Sequence, residues 1–585
     1  MLNQVLDTFK RMYEEEGDKL ITESYIPSDG EYIVVEEINN ELKEVCRVKV
    51  KMDKKTRAID RIQEGFDFIA KADYMSKLID MNKPIDSKKV IHSNNYLSFM
   101  VKKDSLVPDK EKGEIKLTDE IIDNYYEVLS NTRKKYEKSK KAIELYDLVE
   151  EKNGKVNLER LDKIKLWIKN NIFLLVDKDS ADKNYLKILF KYDLDEFRKE
   201  SEKYLIPNIY NSTDFNITIG EAVYGLPNDN MGLNSKKPYL ENKTRKNKVP
   251  YLISQEEVLL QKKFFDYLMN QVAAGNNNIY INEEIVIPKV NGELIEEEFT
   301  GIYLRIKKGK EVEIHDIDTI TSYNPKINNL DFENVLNADV AILKQQYGKV
   351  STLNSVQNLI HEVFFSKFLI SNYFTEAKDI TLNDANIKRN LLLARNSLFT
   401  WFYKGSKSSV WKSLDRASLS VIKGSINNGY YPKAVEQFNL RVALQEYFEG
   451  GEKMADILQS VKESLRQKIA EKNTGQIEND REYFFAVGQL ANFFISKSKG
   501  RKKPQSLVNP IINVKSDERL KEQLSRLYKK YNYDIDNNSK RFNNMFALVK
   551  SYEPEGEINE DLIVAGYLHS SLIYESINKE GVENE

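Results

Sequence analysis

The chain is poor in the residues that carry covalent or metal chemistry. It holds one cysteine, Cys46, in 585 residues, which excludes a disulfide framework and a cysteine-based zinc ribbon. A lone thiol also fits a reducing compartment. Histidine is scarce: His92, His315, His361 and His569. No G-x-x-x-x-G-K-[ST], G-x-G-x-x-G or H-E-x-x-H string occurs, so the phosphate-cradling, dinucleotide and zinc-protease motifs are all absent. No apolar run approaches the ~18–20 residues that span a bilayer. The opening residues place Leu2, Val5, Leu6, Phe9 and Met12 at helical spacing, without the basic start and apolar core of a signal peptide. The expected location is cytoplasmic, with no membrane contact. A dominant charge sign is missing as well: 89 Lys and Arg stand against 91 Asp and Glu, a net charge of −2. Such a chain does not coat nucleic acid indiscriminately, so polyanion binding must come from segregated patches.

What is present is core-forming material. The chain is 41% hydrophobic with 26 Phe and 33 Tyr, enough for sizeable cores, and its length predicts several domains. The expected class is α+β, with a mixed helix and strand N-terminal body and a mostly helical C-terminal part ending in an antiparallel helical bundle. Domains are expected at 1–350 (recognition and scaffold body), 351–453 (helical connection) and 454–585 (bundle). Strands are predicted at Glu31–Glu36, Val45–Val50, Asn95–Val101 and Tyr185–Tyr192. One long helical stretch is predicted from Asp119 to Glu151, with the cationic run Arg133–Lys141 as its solvated face. A helix capped by Ser254 should follow over Glu256–Asn270. Strands Ile279–Val290 and Leu294–Ile306 flank Asn291-Gly292, a pair suited to a hairpin turn, and Glu311–Ile317 supplies another strand. Beyond Leu353 strand signals vanish.

The most informative stretch is Gly232-Leu-Asn-Ser-Lys-Lys-Pro-Tyr-Leu-Glu-Asn-Lys-Thr-Arg-Lys-Asn-Lys-Val-Pro-Tyr-Leu-Ile-Ser254. From Lys236 to Lys248 it carries six cations (Lys236, Lys237, Lys243, Arg245, Lys246, Lys248) against one anion, Glu241. Cations neutralise phosphates, amides such as Asn234, Asn242 and Asn247 bond base edges, and Tyr239 and Tyr251 offer stacking faces. Pro238 and Pro250 favour an extended path. The bland alternative is a solvated basic loop. The stretch is opened by Gly225-Leu-Pro-Asn-Asp-Asn-Met-Gly232, where glycine lets backbone approach a ligand closely. A second basic run, Lys497-Ser-Lys-Gly-Arg-Lys-Lys-Pro504, ends an apolar helix; it reads as a phosphate track or as a helix C-terminus favoured by the macrodipole.

These residues resemble the lysine-rich motif of the large subunit of type I-B CRISPR Cascade complexes. Ile91-His-Ser-Asn-Asn-Tyr-Leu-Ser-Phe-Met-Val-Lys102 and Phe485-Ala-Val-Gly-Gln-Leu-Ala-Asn-Phe-Phe-Ile-Ser-Lys-Ser-Lys-Gly-Arg-Lys-Lys503 agree with the same family. The resemblance implies a scaffold and DNA-recognition subunit, not an enzyme, with no cofactor. Its implied partners are guide CRISPR RNA, target double-stranded DNA, the other Cascade Cas subunits and a separate helicase-nuclease. It would check the protospacer-adjacent motif, aid duplex opening and recruit the nuclease. On that reading Asn228, Asn230, Asn234, Lys236 and Lys237 probe the duplex groove. Lys243, Arg245, Lys246 and Lys248 hold phosphates, while Lys499, Arg501, Lys502 and Lys503 guide a strand. In this family a small subunit is often translated from inside the same gene. Glu449-Gly-Gly-Glu-Lys-Met454 fits such a start, and equally fits an ordinary helix C-cap and turn.

Two alternatives come from other classes. His315-Asp-Ile-Asp318 puts imidazole and carboxylate together as in a metal-dependent nuclease, but strand alternation sends His315 and Ile317 to one face and the two aspartates to the other. The other alternative is a protein-interaction scaffold whose cations meet acidic protein. Trp401, Trp411 and the pair Tyr430-Tyr431 are read as core or subunit contacts, and His361 as a half-buried polar residue on an apolar helix. Asn94-Asn95 fits a turn or an edge reader.

Overall fold

The computed structural model describes residues 2–53, 58–76, 85–108, 113–176, 183–210, 215–220, 222–227, 252–309, 311–470, 475–498, 505–536 and 538–575. The chain forms two compact units, Met1–Val290 with Gly301–Thr319, and Asn291–Thr300 with Ile320–Glu585. Sheets occupy the N-terminal half and helices the C-terminal part, so the α+β class holds.

In the first unit, helices α1 (Leu2–Glu16) and α2 (Lys19–Thr22) precede a hairpin of β1 (Gly30–Ile38) and β2 (Glu41–Val50). Asn39 and Asn40 join them with φ of 53° and 67°, the doubly positive pair that matches strand twist in a two-residue turn. Helix α3 (Phe66–Ser76), strand β3 (Ser98–Lys102), helices α4 (Asp119–Ser130), α5 (Lys140–Asn153) and α6 (Leu158–Asn171), strand β4 (Tyr185–Phe190) and helix α7 (Leu194–Leu205) follow. Strand β4 runs parallel to β1 and antiparallel to β3, giving the order β2-β1-β4-β3. Its central strands are buried continuously over Tyr32–Val35 and Leu186–Phe190, as befits a sheet covered on both faces. An ion pair lies in that core: Lys187 Nζ donates to Asp73 Oδ1 at 2.6 Å and to Tyr32 Oη at 3.0 Å, while Tyr25 Oη donates to Asp73 Oδ2 at 2.7 Å.

The single helix expected over Asp119–Glu151 is two. Asn131 leaves helical geometry at φ −144° and ψ 68°, a short 3-10 turn follows, and Ser139 caps α5 by accepting from the Ala142 amide. The cations of the run are solvent-exposed as expected, with Arg133, Lys134 and Lys135 on that turn and Lys140 and Lys141 opening α5, and Arg133 pairs with Asp147 at 2.7 and 2.9 Å.

Short strands β5 (Ile217–Ile219), β6 (Ala222–Gly225) and β7 (Ile253–Ser254) form a small sheet that leads into α8 (Gln255–Ala274). A further sheet has the order β11-β10-β8-β9, from β8 (Asn276–Ile281), β9 (Val286–Val290), β10 (Phe299–Lys308) and β11 (Val312–Tyr323). Asn291-Gly292 is therefore not a hairpin turn, because β10 pairs with β8 rather than β9. The hairpin sits earlier, where Asn282 Oδ1 accepts from the Glu284 and Ile285 amides at 2.8 Å each and splits the expected Ile279–Val290 strand. Gly292, at φ 94°, is bonded instead through its amide to Tyr403 Oη at 2.9 Å and through its carbonyl to Gln357 Nε2 at 2.8 Å.

The second unit opens with the hairpin β12 (Lys326–Phe332) and β13 (Gly348–Thr352), after which no strand occurs among the described residues. Helices α9 (Leu353–Val363), α10 (Ala385–Lys404), α11 (Val410–Asn427), α12 (Tyr431–Glu449) and α13 (Met454–Ala470) come next. They are followed by α14 (Asp480–Ser496), α15 (Asn509–Ile512), α16 (Asp517–Tyr531), α17 (Lys540–Ser551) and α18 (Glu560–Leu568). Consecutive helices α10, α11 and α12 pack on one another through short loops and so run antiparallel. One apolar core joins Ile422, Ile426, Val435, Phe438 and Val442 to Leu458, Leu465, Phe485, Leu490, Phe494, Leu524, Phe542 and Ile563. At its centre α14 and α18 touch backbone to backbone. A methyl on Gly488 would collide with the Ile563 carbonyl, and one on Gly566 with the Phe485 carbonyl.

Gly566→Ala is expected to destabilise the second unit by about 1–3 kcal/mol or more, since rigid backbone must part to admit the methyl. Thermal unfolding reads this; an unchanged melting temperature would mean the two helices separate at no cost.

Candidate nucleic-acid interface

Every residue assigned to DNA from the sequence lies outside the described residues: Asn228, Asn230, Asn234, Lys236, Lys237, Lys243, Arg245, Lys246 and Lys248, with Lys499, Arg501, Lys502 and Lys503. What the structure describes is how the chain enters and leaves both stretches.

The root of the first stretch is tightly built. Strands β6 and β7 pair antiparallel, Gly225 opposite Ile253 and Tyr224 opposite Ser254, so the chain leaves and returns on neighbouring strands. Pro227 forms an isolated bridge with Tyr210. The Tyr210 hydroxyl lies 2.6 Å from the Val223 carbonyl and 3.1 Å from the Ile253 carbonyl, and its one proton, shared between them, clamps the outgoing and incoming strands together. Burial holds its phenol well above the ordinary range, so it remains a donor. The ring seats on Gly225, where an added Cβ would lie 2.5 Å from ring carbons and 2.6 Å from Asn216 Oδ1. Gly225 thus provides room for a tyrosine and is not, as expected, a place for a ligand to approach the backbone. Beneath it Leu145, Val149, Ile206, Ile209, Tyr210, Ile253 and Val258 make a separate small core. Asn216 is 8% exposed, and its amide has no partner among the described residues.

The exit is fixed as the sequence predicts. Ser254 Oγ accepts from the Glu257 amide at 3.3 Å while Glu257 Oε2 accepts from the Ser254 amide at 2.8 Å, a reciprocal cap that starts α8. Tyr210 was not legible as part of this site. Its only sequence signal is an aromatic upstream of the glycine that ends Ala222-Val-Tyr-Gly225.

At the second stretch, Lys497 is the C-cap of α14, and its Nζ lies 5.0 Å from the Phe493 ring centre and 5.5 Å from that of Tyr574. This first cation of the run belongs to the helix end, as the macrodipole reading has it.

The remaining candidates separate clearly. His315 is an exposed residue of β11 whose Nε2 lies 3.1 Å from Glu313 Oε2, and no group of three or more His, Cys, Asp or Glu among the described residues is placed to hold a metal. His361 is half-buried and its Nδ1 accepts from the Ile370 amide at 3.3 Å, so it closes the end of α9. The Asn94-Asn95 choice resolves to a turn. Asn95 is fully buried, donating to the Phe197 carbonyl at 2.8 Å and Ser201 Oγ at 3.0 Å, and accepting from the Leu97 amide at 2.9 Å. Trp401 is core, stacked on Phe402, and Trp411 lies under Arg441. Tyr430 is 57% exposed, whereas the Tyr431 hydroxyl donates to the Leu568 carbonyl. No helix of the described residues is long and apolar enough to cross a membrane.

In comparison with known proteins, no family model, no curated protein and no solved structure matches the chain.

Tyr210→Phe removes the proton that the Val223 and Ile253 carbonyls share, which costs about 1–3 kcal/mol locally. Faster hydrogen exchange is expected at residues 222–225 and 252–257 with the global melting temperature little changed. Parent-like protection there would show that the hydroxyl does not hold the root.

Proposed function

We propose that this chain is the non-catalytic large subunit of a type I-B CRISPR Cascade complex. It reads the protospacer-adjacent motif, helps open the duplex and recruits the helicase-nuclease. The observation that carries the reading is the Lys236–Lys248 stretch, six cations to one anion, strung between two strands that Tyr210 clamps side by side. A cationic segment whose ends are pinned loses less entropy on binding than a free tail, so its phosphate interactions convert more fully into affinity. Within this reading Asn228, Asn230, Asn234, Lys236 and Lys237 meet the groove. Lys243, Arg245, Lys246 and Lys248 meet phosphates, and Lys499, Arg501, Lys502 and Lys503 guide a strand. Guide RNA and the neighbouring Cas subunits supply the sequence reading that a protein of this kind leaves to base pairing. A small subunit beginning at Met454 belongs to the same proposal, as does a cytoplasmic location.

The test is a C-terminal affinity tag on the native gene expressed with its neighbours. Cas subunits, a discrete RNA and a shorter product starting at Met454 are expected to co-purify; a lone full-length chain without RNA would overturn the assignment. In the assembled complex, Lys236→Ala with Lys237→Ala should weaken target-duplex binding and flatten its dependence on log salt by ~2, at ~0.9 for each phosphate no longer neutralised. An unchanged slope removes the pair from the interface.

A further inference from the structure

A third concentration of positive charge lies in the second unit, remote in sequence from both stretches. From Ala385 to Ala434 the chain carries nine lysines and arginines against a single carboxylate, Asp415. Some of these cations serve the fold. Arg395 donates to the Asn372 and Thr375 carbonyls at 2.9 and 2.6 Å, Lys388 to the Ile380 carbonyl at 3.0 Å, and Lys433 to Ser366 Oγ at 2.8 Å. Arg389, Lys412 and Arg416 do not. All three are exposed, none makes an ion pair among the described residues, and Arg389 reaches only Ser420 Oγ, at 3.1 Å.

Their placement is ordered. Lys412 and Arg416 stand one turn apart on α11, ~6 Å along its axis, and Arg389 on α10 reaches Ser420, one turn beyond Arg416 on the side away from Lys412. Beside the helices runs an open groove of about 950 Å³, lined by Arg389, Arg416 and Lys423, by Asn386 and Asn427, and on its other wall by Asn513, Lys515 and Glu560. The two carboxylates on its walls are already answered. Asp415 receives Arg441 Nη2 at 2.7 Å, and Glu560 receives Lys423 and Lys515 at 2.5 Å each. The field left over is that of the unpaired guanidiniums and Lys412.

We propose that this groove binds one strand of nucleic acid along its phosphodiester backbone. Arg389 and Arg416 fork phosphates, and Lys412 extends the track by a turn. Guanidinium geometry matches phosphate oxygens in pairs, which a lysine does not. The inference requires neither the 228–251 stretch nor the Cascade assignment.

The test titrates labelled 20-nucleotide oligo-dT and oligo-U with the full-length chain across a range of NaCl, parent against an Arg389→Ala, Lys412→Ala, Arg416→Ala variant. Both proteins carry Lys236→Ala and Lys237→Ala so that the first stretch does not mask the result. The three substitutions are on exposed helix positions, and a thermal melt confirms the fold. Affinity should fall about tenfold or more, and the salt slope should shrink by ~2, at ~0.7 per phosphate of a single strand. Loss confined to oligo-dT or to oligo-U assigns the strand as DNA or RNA, and equal loss assigns backbone alone. Unchanged affinity and slope for both overturn the proposal. So does a variant that stops binding polyglutamate while still binding both oligonucleotides. Photo-crosslinking from 4-thiothymidine should yield peptides from 385–427; crosslinks only to 228–251 or 497–504 overturn it as well.

Discussion

A single buried guanidinium holds the helical unit together. Arg441 of α12 is 3% exposed and uses all its donor atoms. Nε and Nη2 bond Asp561 at 2.7 and 2.9 Å, Nη2 also bonds Asp415 at 2.7 Å, and Nη1 bonds the Asp415 carbonyl and Ser418 Oγ at 2.6 and 2.8 Å. The Trp411 ring lies 5.5 Å from its centre. Burial works against the charge, and the two aspartates overcome it, so the group stays ionised well above its ordinary range. Removing one member of such a set strands the others, a loss of about 3–5 kcal/mol where buried pairs have been broken. Through it α11, α12 and α18 are tied together, and α18 in turn can meet α14 only because Gly488 and Gly566 let the backbones touch.

The same logic divides the cations of the whole chain. With 89 of them against 91 carboxylates, most can be paired, and several that build the body are. Lys187 meets Asp73 inside the first sheet, Lys423 and Lys515 share Glu560, and Lys468 meets Glu482 at 2.8 Å. Cations most outnumber carboxylates in three stretches, 236–248 with Glu241 alone, 497–503 with none and 385–434 with Asp415 alone. A near-neutral total therefore says little about binding; local imbalance says more, because a partner within a Debye length, ~10 Å at 0.1 M salt, feels the patch rather than the sum.

Much of the fold was legible where periodicity and local chemistry agree. Strands β1, β2 and β4, the reciprocal cap at Ser254 and the change to helices after Leu353 all announce themselves in side-chain spacing. What failed did so for tertiary reasons. Asn291-Gly292 has turn chemistry, but strand partners are chosen by the sheet, and Asn282 made the turn first. The helix from Asp119 keeps its apolar rhythm across Asn131, yet the backbone breaks there and restarts at Ser139. Of the candidate site the charge pattern was legible and the root was not. A clamp made by one tyrosine hydroxyl on two carbonyls, with a glycine as its seat, depends on strand pairing that no local pattern encodes. The hairpin of α10 and α11 escaped for another reason, since its cations are spread over some fifty residues, and only folding gathers Arg389 to Arg416.

Arg441 also bears on how a product beginning at Met454 could exist. The helices after that residue keep the Gly488–Gly566 crossing but share their core with Ile422, Ile426, Val435, Phe438 and Val442, which precede it. Asp561 and Glu560 would lose Arg441 and Lys423, and the Leu568 carbonyl would lose the Tyr431 hydroxyl. One side of such a product would then present apolar side chains beside Asp561 without its guanidinium, while Glu560 would keep Lys515, and such a surface is costly to leave bare in water. Physical sense requires something to cover it, and the covering element must bring apolar contacts together with a cation. Within the full-length chain α11 and α12 do this. A separate copy can be stable only against a surface of the same kind, which makes assembly, not independence, the condition for its existence.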